Sequence, residues 1–256
     1  MNPLFEKIGR ALAGFLSRER HVHSAAPVTP PDQLVKSLVP GDVVLVEGSS
    51  QVSAAIKYLT QSTWSHAALY VGPPGSGLLV DPSHCFIEAD LVSGVRTVGI
   101  EPFMTVPTRI CRPVGLGAAD RRAIIDFALR QLGHRYDLRN IVDLARYLLP
   151  TPPVPTKWRR RMIALGSGDP TRAICSTLIA QAFQSINYPV LPTVEHRAAA
   201  TQQCPDCVDE VLHIRHYSLF VPRDFDLSPY FEIIKPALEE NFDYRVLHWQ
   251  AEGGAP

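Results

Sequence analysis

The sequence predicts an α+β fold. Up to about residue 112 its apolar runs are short, rich in β-branched residues and divided by turn signals; after Gly117 they switch to helical three-and-four spacing. Strands in one block and helices in the next define that class. A third observation bounds the size: 256 residues with 46% hydrophobic content can fill one large core or two modest ones. We read one main domain, residues 32–222, preceded by a helix and linker over 1–31 and followed by an extension over 223–256.

Residues Leu4, Phe5, Ile8, Ala11, Leu12, Phe15 and Leu16 share one helical face, with Lys7, Arg10 and Arg18 largely off it. This amphipathic helix is read either as docked on its own domain or as lying on an anionic membrane surface. His21 to Pro31, with three prolines, reads as a linker. The folded part is expected to open at Leu38-Val-Pro-Gly-Asp42, a turn that leads into the buried strand Val43-Val-Leu-Val-Glu47. Ser49 or Ser50 can cap the next helix. Trp64 to Val71 is a strand in which His66, Ala68 and Tyr70 point one way and Ala67, Leu69 and Val71 the other.

Further strands are expected at Leu78–Asp81, Cys85–Ala89, Arg96–Ile100 and Thr108–Arg112. Ile124, Ile125, Ala128, Leu129 and Leu132 then mark a helix that Gly133 stops. A helix over Leu138–Leu149 follows, and residues 150–170, rich in proline and arginine, read as an insertion. Cys175 to Ile186 is the next helix. The chain after Tyr188-Pro189 reads as irregular until His216–Val221, and the part after Pro222 as an appended segment.

Lys and Arg together number 25 and Asp and Glu 25, so no global field draws the chain to nucleic acid, and that class of partner is disfavoured. The five cysteines form an odd, irregular set, which suits a reducing compartment. Glu6, Lys7 and Arg10 interrupt the N-terminus before a signal-peptide core can form, and no segment approaches the roughly 20 apolar residues of a membrane span. The expected location is therefore cytoplasmic, on the inner face of the membrane if residues 1–20 bind there.

Candidate chemistry begins at Cys175, placed where a helix starts. Its free amides and positive dipole end favour thiolate over thiol, and the same amides could hold an oxyanion. The alternative is a small buried cysteine in an apolar helix. His66, mid-strand, is a candidate base that could meet a helix packed across the sheet, or else a hydrogen-bonded core histidine. Glu88, two strands on, could fix the tautomer of that base, with Asp90 as the competing orienter and a solvated strand-end charge as the plain alternative.

The ordered segments Pro40-Gly-Asp-Val-Val-Leu-Val46, Trp64-Ser-His-Ala-Ala-Leu-Tyr-Val-Gly72, Phe86-Ile-Glu-Ala89, Gly133-His-Arg-Tyr-Asp137 and Cys175-Ser-Thr-Leu-Ile-Ala180 resemble the YiiX/YebB-like branch of the circularly permuted NlpC-type papain-like hydrolases. The resemblance spans roughly residues 38–221. It implies an antiparallel sheet bearing His66 and Glu88, packed against the helix led by Cys175. It also implies Cys175 as nucleophile, His66 as general base and then acid, and Glu88 as the third member. Tyr136 matches a tyrosine close to the cysteine in similar proteins, where it could aid the oxyanion or simply pack in the core. No cofactor or metal is expected.

Relatives similar in motif include cell-wall peptide amidases and lipid acyltransferases of the lecithin-retinol type. The expected activity is thus cysteine-dependent hydrolysis or acyl transfer at an amide or ester through a thioester. The amphipathic helix inclines the substrate toward a lipid or lipid-linked acyl group. The rival readings are a peptidase or amidase on cell-wall-type or cytosolic peptides, and a binding protein that keeps the fold without turnover. Cys204-Pro-Asp-Cys207 could be half a zinc site, a redox pair or plain loop cysteines. Substrate chemistry sets the partner, a small molecule, lipid or peptide, and the sequence leaves oligomeric state open.

Overall fold

The computed structural model describes residues 28–90, 93–134, 174–198, 208–235 and 245. The amphipathic N-terminal helix, the Leu138–Leu149 helix, Tyr136, the 150–170 insertion and Cys204 and Cys207 lie outside the described residues.

Helix α1, Pro31–Ser37, falls where the linker was expected to pass into the core, and it buries Leu34 completely. Proline suits its first turn because the missing N–H has no helical partner there. One fully buried leucine stabilises by roughly 2 kcal/mol, enough to dock so short a helix. Strand β1, Val43–Val46, is buried at every position, as its unbroken run of β-branched and leucine residues demands. Helix α2, Gln51–Thr60, is capped by Ser50, whose hydroxyl accepts from Ser53 N–H at 3.1 Å. Strands β2 (His66–Tyr70), β3 (Phe86–Asp90), β4 (Gly94–Val98) and β5 (Thr108–Pro113) follow, then helix α3, Ala118–Arg130. Gly133 lies just past that helix in the left-handed region, at φ 79°.

The segment Leu78–Asp81, expected as a strand, is instead part of the loop from β2 to β3. Gly75 and Gly77 take positive φ there and Val80 is fully exposed, so the short apolar run has no face to bury.

Helix α4, Ile174–Gln184, carries Cys175 in its first turn. Beyond it the region expected as irregular forms a two-stranded antiparallel sheet of β6 (Thr193–Ala198) and β7 (Val208–His213). Its charged, solvent-facing strands lack the one-sided apolar alternation by which strands are read from sequence. The segment after Pro222, expected as an appendage, forms α5 (Pro222–Leu227) and β8 (Phe231–Ile234), and β8 pairs with β5 in the main sheet.

The main sheet runs β4-β3-β2-β1-β5-β8, every neighbour antiparallel. One face, with Leu45, Ala67, Leu69, Ile87 and Ala89, is covered by Ile124, Ile125 and Ala128 of α3 and by Leu178, Ile179, Ala182 and Phe183 of α4. The opposite face, with Val44, Val46, Ala68, Tyr70 and Phe86, is covered by Leu34, Leu38 and Phe103. With a helical layer on an antiparallel sheet, the architecture is α+β.

Candidate active site

His66 opens β2, and alternation along the strand places it with Ala68 and Tyr70 on the face away from the body of α4. Glu88 pairs directly with Ala68 on one side and with Arg96 on the other, so all three share that face. Nε2 of His66 lies 2.7 Å from Oε2 of Glu88. Glu88, rather than Asp90, therefore meets the imidazole; Asp90 turns one oxygen to the Ser93 N–H at 2.7 Å.

A simple packing of α4 across the face that carries His66 is not what the structure has, because the helix body lies on the other face. The cysteine reaches the imidazole at a break in the sheet. The β2–β3 ladder stops at the Ala68–Glu88 pair, while β1 still pairs with β2 as far as His66. Tyr70 N–H donates to Asp42 on the β1 side, so by alternation Ala67 N–H turns toward β3, beyond the end of that ladder. Ala67 N–H instead donates to the Cys175 sulfur, and the His66 and Ser176 side chains also hydrogen-bond it. With Nε2 held by Glu88, Nδ1 is the ring nitrogen left for the thiol.

The three groups tune one another. Burial alone would raise the Cys175 thiol, but the His66 charge and hydrogen bond, helped by Ala67 N–H and Ser176, lower it below the usual thiol range. Burial alone would likewise push His66 down; the Cys175 thiolate outweighs it, with Glu88 adding, and the imidazole is pushed up to about 10. For Glu88 burial is again outweighed, by hydrogen bonds from His66 and Arg96, which hold its carboxyl at about 2. The arrangement favours a thiolate–imidazolium pair backed by a carboxylate. Glu88 is nearly covered, whereas His66 keeps 28% of its side-chain surface, leaving one edge of the ring open to a leaving group.

Sequence reasoning passed over Arg96 and the Ala67 amide. Arg96 donates from Nε at 2.9 Å to Oε1 of Glu88, and its Nη2 lies 2.8 Å from the same oxygen as an ion pair. A glutamate and an arginine flanking a short turn, in register on two adjacent strands, is the signal that could have found it. The Ala67 amide carries no side-chain signal, since only the end of a ladder frees it. The strand register before His66 is fixed by Ser65, whose hydroxyl accepts from Gly48 N–H at 2.9 Å. A Cβ at Gly48 would collide with Ser53 Oγ, so the β1–α2 loop can approach only as glycine.

Residues 37–147 match the model of the permuted papain-like amidase enzymes of the YaeF/YiiX, C92 family. The matched segment is less than half of the chain. It contains His66, Glu88 and Arg96; Cys175 lies beyond it, on a helix that comes after the histidine strand. Among solved structures the chain is similar to the metalloprotein yiiX from Escherichia coli O157:H7, with a TM-score of 0.44 at 15% identity over 77% of this chain and 96% of that one. A comparison with curated proteins finds no match. Among the described residues no three His, Cys, Asp or Glu side chains converge as metal ligands. No described helix is long and apolar enough to cross a membrane.

Cys175 is expected to be the most reactive of the described thiols. Burial pushes Cys85 up to about 11 and, with Asp226 nearby, raises Cys111 further, so neither is thiolate near neutral pH. Limited iodoacetamide labelling of folded protein, read by peptide mapping, should modify Cys175 well before either; labelling of Cys85 or Cys111 first would remove it as nucleophile.

Proposed function

We propose that this chain is a cysteine hydrolase or acyltransferase acting on an amide or ester through a thioester, with Cys175 as nucleophile, His66 as base and acid, and Glu88 as the group that orients His66. One observation carries the reading: the hydrogen-bonded series Cys175–His66–Glu88, in which the thiol is lowered and the imidazole raised. The thiolate attacks the substrate carbonyl carbon, forming a C–S bond, and the carbonyl oxygen takes the negative charge. Amides of the first turn of α4 lie at the positive end of the helix, where such an oxyanion is stabilised. As the intermediate collapses, the C–N or C–O bond breaks and the leaving group takes the His66 proton. Water, or an acceptor hydroxyl or amine, then gives its proton to His66 and attacks the thioester, and the acyl product leaves as thiolate re-forms. The motif that Tyr136 matches supports either an oxyanion role or core packing for it, its placement lying outside the described residues.

For substrate we favour a lipid or lipid-linked acyl group, on the amphipathic, basic-edged segment 1–20. The amidase character of the matched family supports a peptide amide as the second reading. Exposing full-length protein to parallel acyl-lipid and muropeptide panels, followed by intact mass and peptide mapping, separates them. An acyl adduct on Cys175 from the lipid panel alone is the expected result. An adduct from muropeptides alone overturns the lipid assignment. No adduct or product from either panel, with Cys175 still open to iodoacetamide, removes both substrate readings and leaves a binding role.

A further inference from the structure

Glu88 is held at both oxygens, and the two holds come from opposite sides. Oε2 meets His66 on β2 at 2.7 Å; Oε1 accepts from Arg96 Nε on β4 at 2.9 Å and lies 2.8 Å from its Nη2 in an ion pair. The three residues stand across three adjacent strands on one sheet face, fixed by the Ala68–Glu88 and Glu88–Arg96 register pairs. Arg96 is 46% exposed at its side chain while Glu88 is 9% exposed. An arginine tying up a surface carboxylate contributes little to stability. Here the carboxylate is covered and its other oxygen faces the base, so the arginine decides where that oxygen points and how much negative charge the imidazole feels.

We propose that Arg96 is a fourth member of the relay, a positioning residue that acts through Glu88 to set the orientation and basicity of His66. The proposal rests on the Cys175–His66–Glu88 reading and adds a residue that touches neither substrate nor thiol. Among the described residues, those that face the relay are Cys175 and Ser176 from α4, Glu88 from β3, Arg96 from β4 and the Ala67 amide from β2 itself.

The sign of the effect follows from charge. Neutralising Arg96 removes the positive charge paired with Glu88, so the carboxylate's negative charge acts on the thiolate–imidazolium pair less compensated. The thiolate then forms at higher pH, and the imidazolium, facing a less compensated Glu88, also loses its proton at higher pH. Both limbs of the profile therefore move the same way. Neutralising Glu88 does the reverse: with its negative charge gone both limbs move to lower pH, the alkaline limb further because the imidazolium loses the carboxylate it bonds.

The test is the pH dependence of Cys175 alkylation by iodoacetamide in full-length protein, which needs no substrate. Wild type, Arg96→Gln, Arg96→Lys and Glu88→Gln are compared, with far-UV circular dichroism as the folding control. Arg96→Gln should shift both limbs upward by roughly half a pH unit. Arg96→Lys keeps the charge but loses the planar guanidinium contact on Oε1, so its limbs should stay near wild type, while the peak rate falls about threefold as Glu88 loses its fixed orientation. If Arg96→Gln superimposes on wild type while Glu88→Gln does not, the proposal is overturned. Should Arg96→Gln fail to fold, Arg96→Lys decides alone, and a wild-type peak rate in it overturns the proposal. A wild-type profile with only the limb of an ordinary thiol, near pH 8.5, would instead overturn the underlying reading of the Cys175–His66 pair.

Discussion

His66→Ala should lower turnover by at least about 10³-fold while leaving the fold intact, because one side chain both stabilises the thiolate and delivers the proton to the leaving group. The folded state tolerates the change, since the imidazole is partly open to solvent and is not packed in either apolar cluster. Glu88→Gln should retain activity on the order of 1% of wild type, because the amide can still approach the ring but no longer compensates its charge. The two variants also differ in pH dependence. In wild type the lowered thiol and raised imidazole set a wide active range, with the acid limb at thiolate formation and the alkaline limb at loss of the imidazolium proton. Glu88→Gln removes a negative charge from beside the pair, so both limbs move to lower pH, the alkaline limb further because Glu88 bonds His66 directly, and the range narrows. Steady-state kinetics across pH, with circular dichroism of each variant, check this. Full activity in His66→Ala would remove the mechanism, and equal, total loss in both would assign Glu88 a direct chemical role.

The largest loss of stability is expected from Arg112→Met. Asp42 is 1% exposed and accepts from Arg112 Nε at 2.9 Å, from Arg112 Nη2 at 2.8 Å and from Val39 N–H at 2.8 Å. Arg112 also donates to the Ser37 carbonyl, so one guanidinium joins the end of α1, the turn before β1 and strand β5. Removing it strands a buried carboxylate without its counter-charge, which costs about 3–5 kcal/mol. The denaturation midpoint should fall by that amount with an unchanged m-value. Adding Asp42→Asn should recover part of the loss, because no bare charge is then buried. An Arg112→Met midpoint equal to wild type would show that water already solvates Asp42.

Much of this was legible before any coordinates. The unbroken apolar run at Val43–Val46 and the alternation from His66 to Tyr70 carry their strand character locally, so β1 and β2 fall where the pattern puts them. The pairing of Glu88 rather than Asp90 with His66 depends on cross-strand register, which no single strand encodes. The face assignment went astray for a related reason. Alternation predicts which way His66 points, but the place where β2 and β3 part depends on both strands and on the helix end wedged beside them. The β6–β7 hairpin and β8 were missed because the first has no dry face and the second is four residues long, recognisable only through its partner β5.

That late partner bears on the order in which the molecule is made. Strands β1 to β5 all come from residues 43–113 and pair among themselves, so His66, Glu88 and Arg96 can meet while the rest of the chain is still emerging from the ribosome. The outer edge of β5 stays open until Ile110 finds Ile234, and it is then a template for any stray strand. The base and its supports can thus be in place well before Cys175 arrives. Until α4 docks, the polypeptide would hold an organised proton acceptor and no nucleophile, which spares a nascent chain premature acylation.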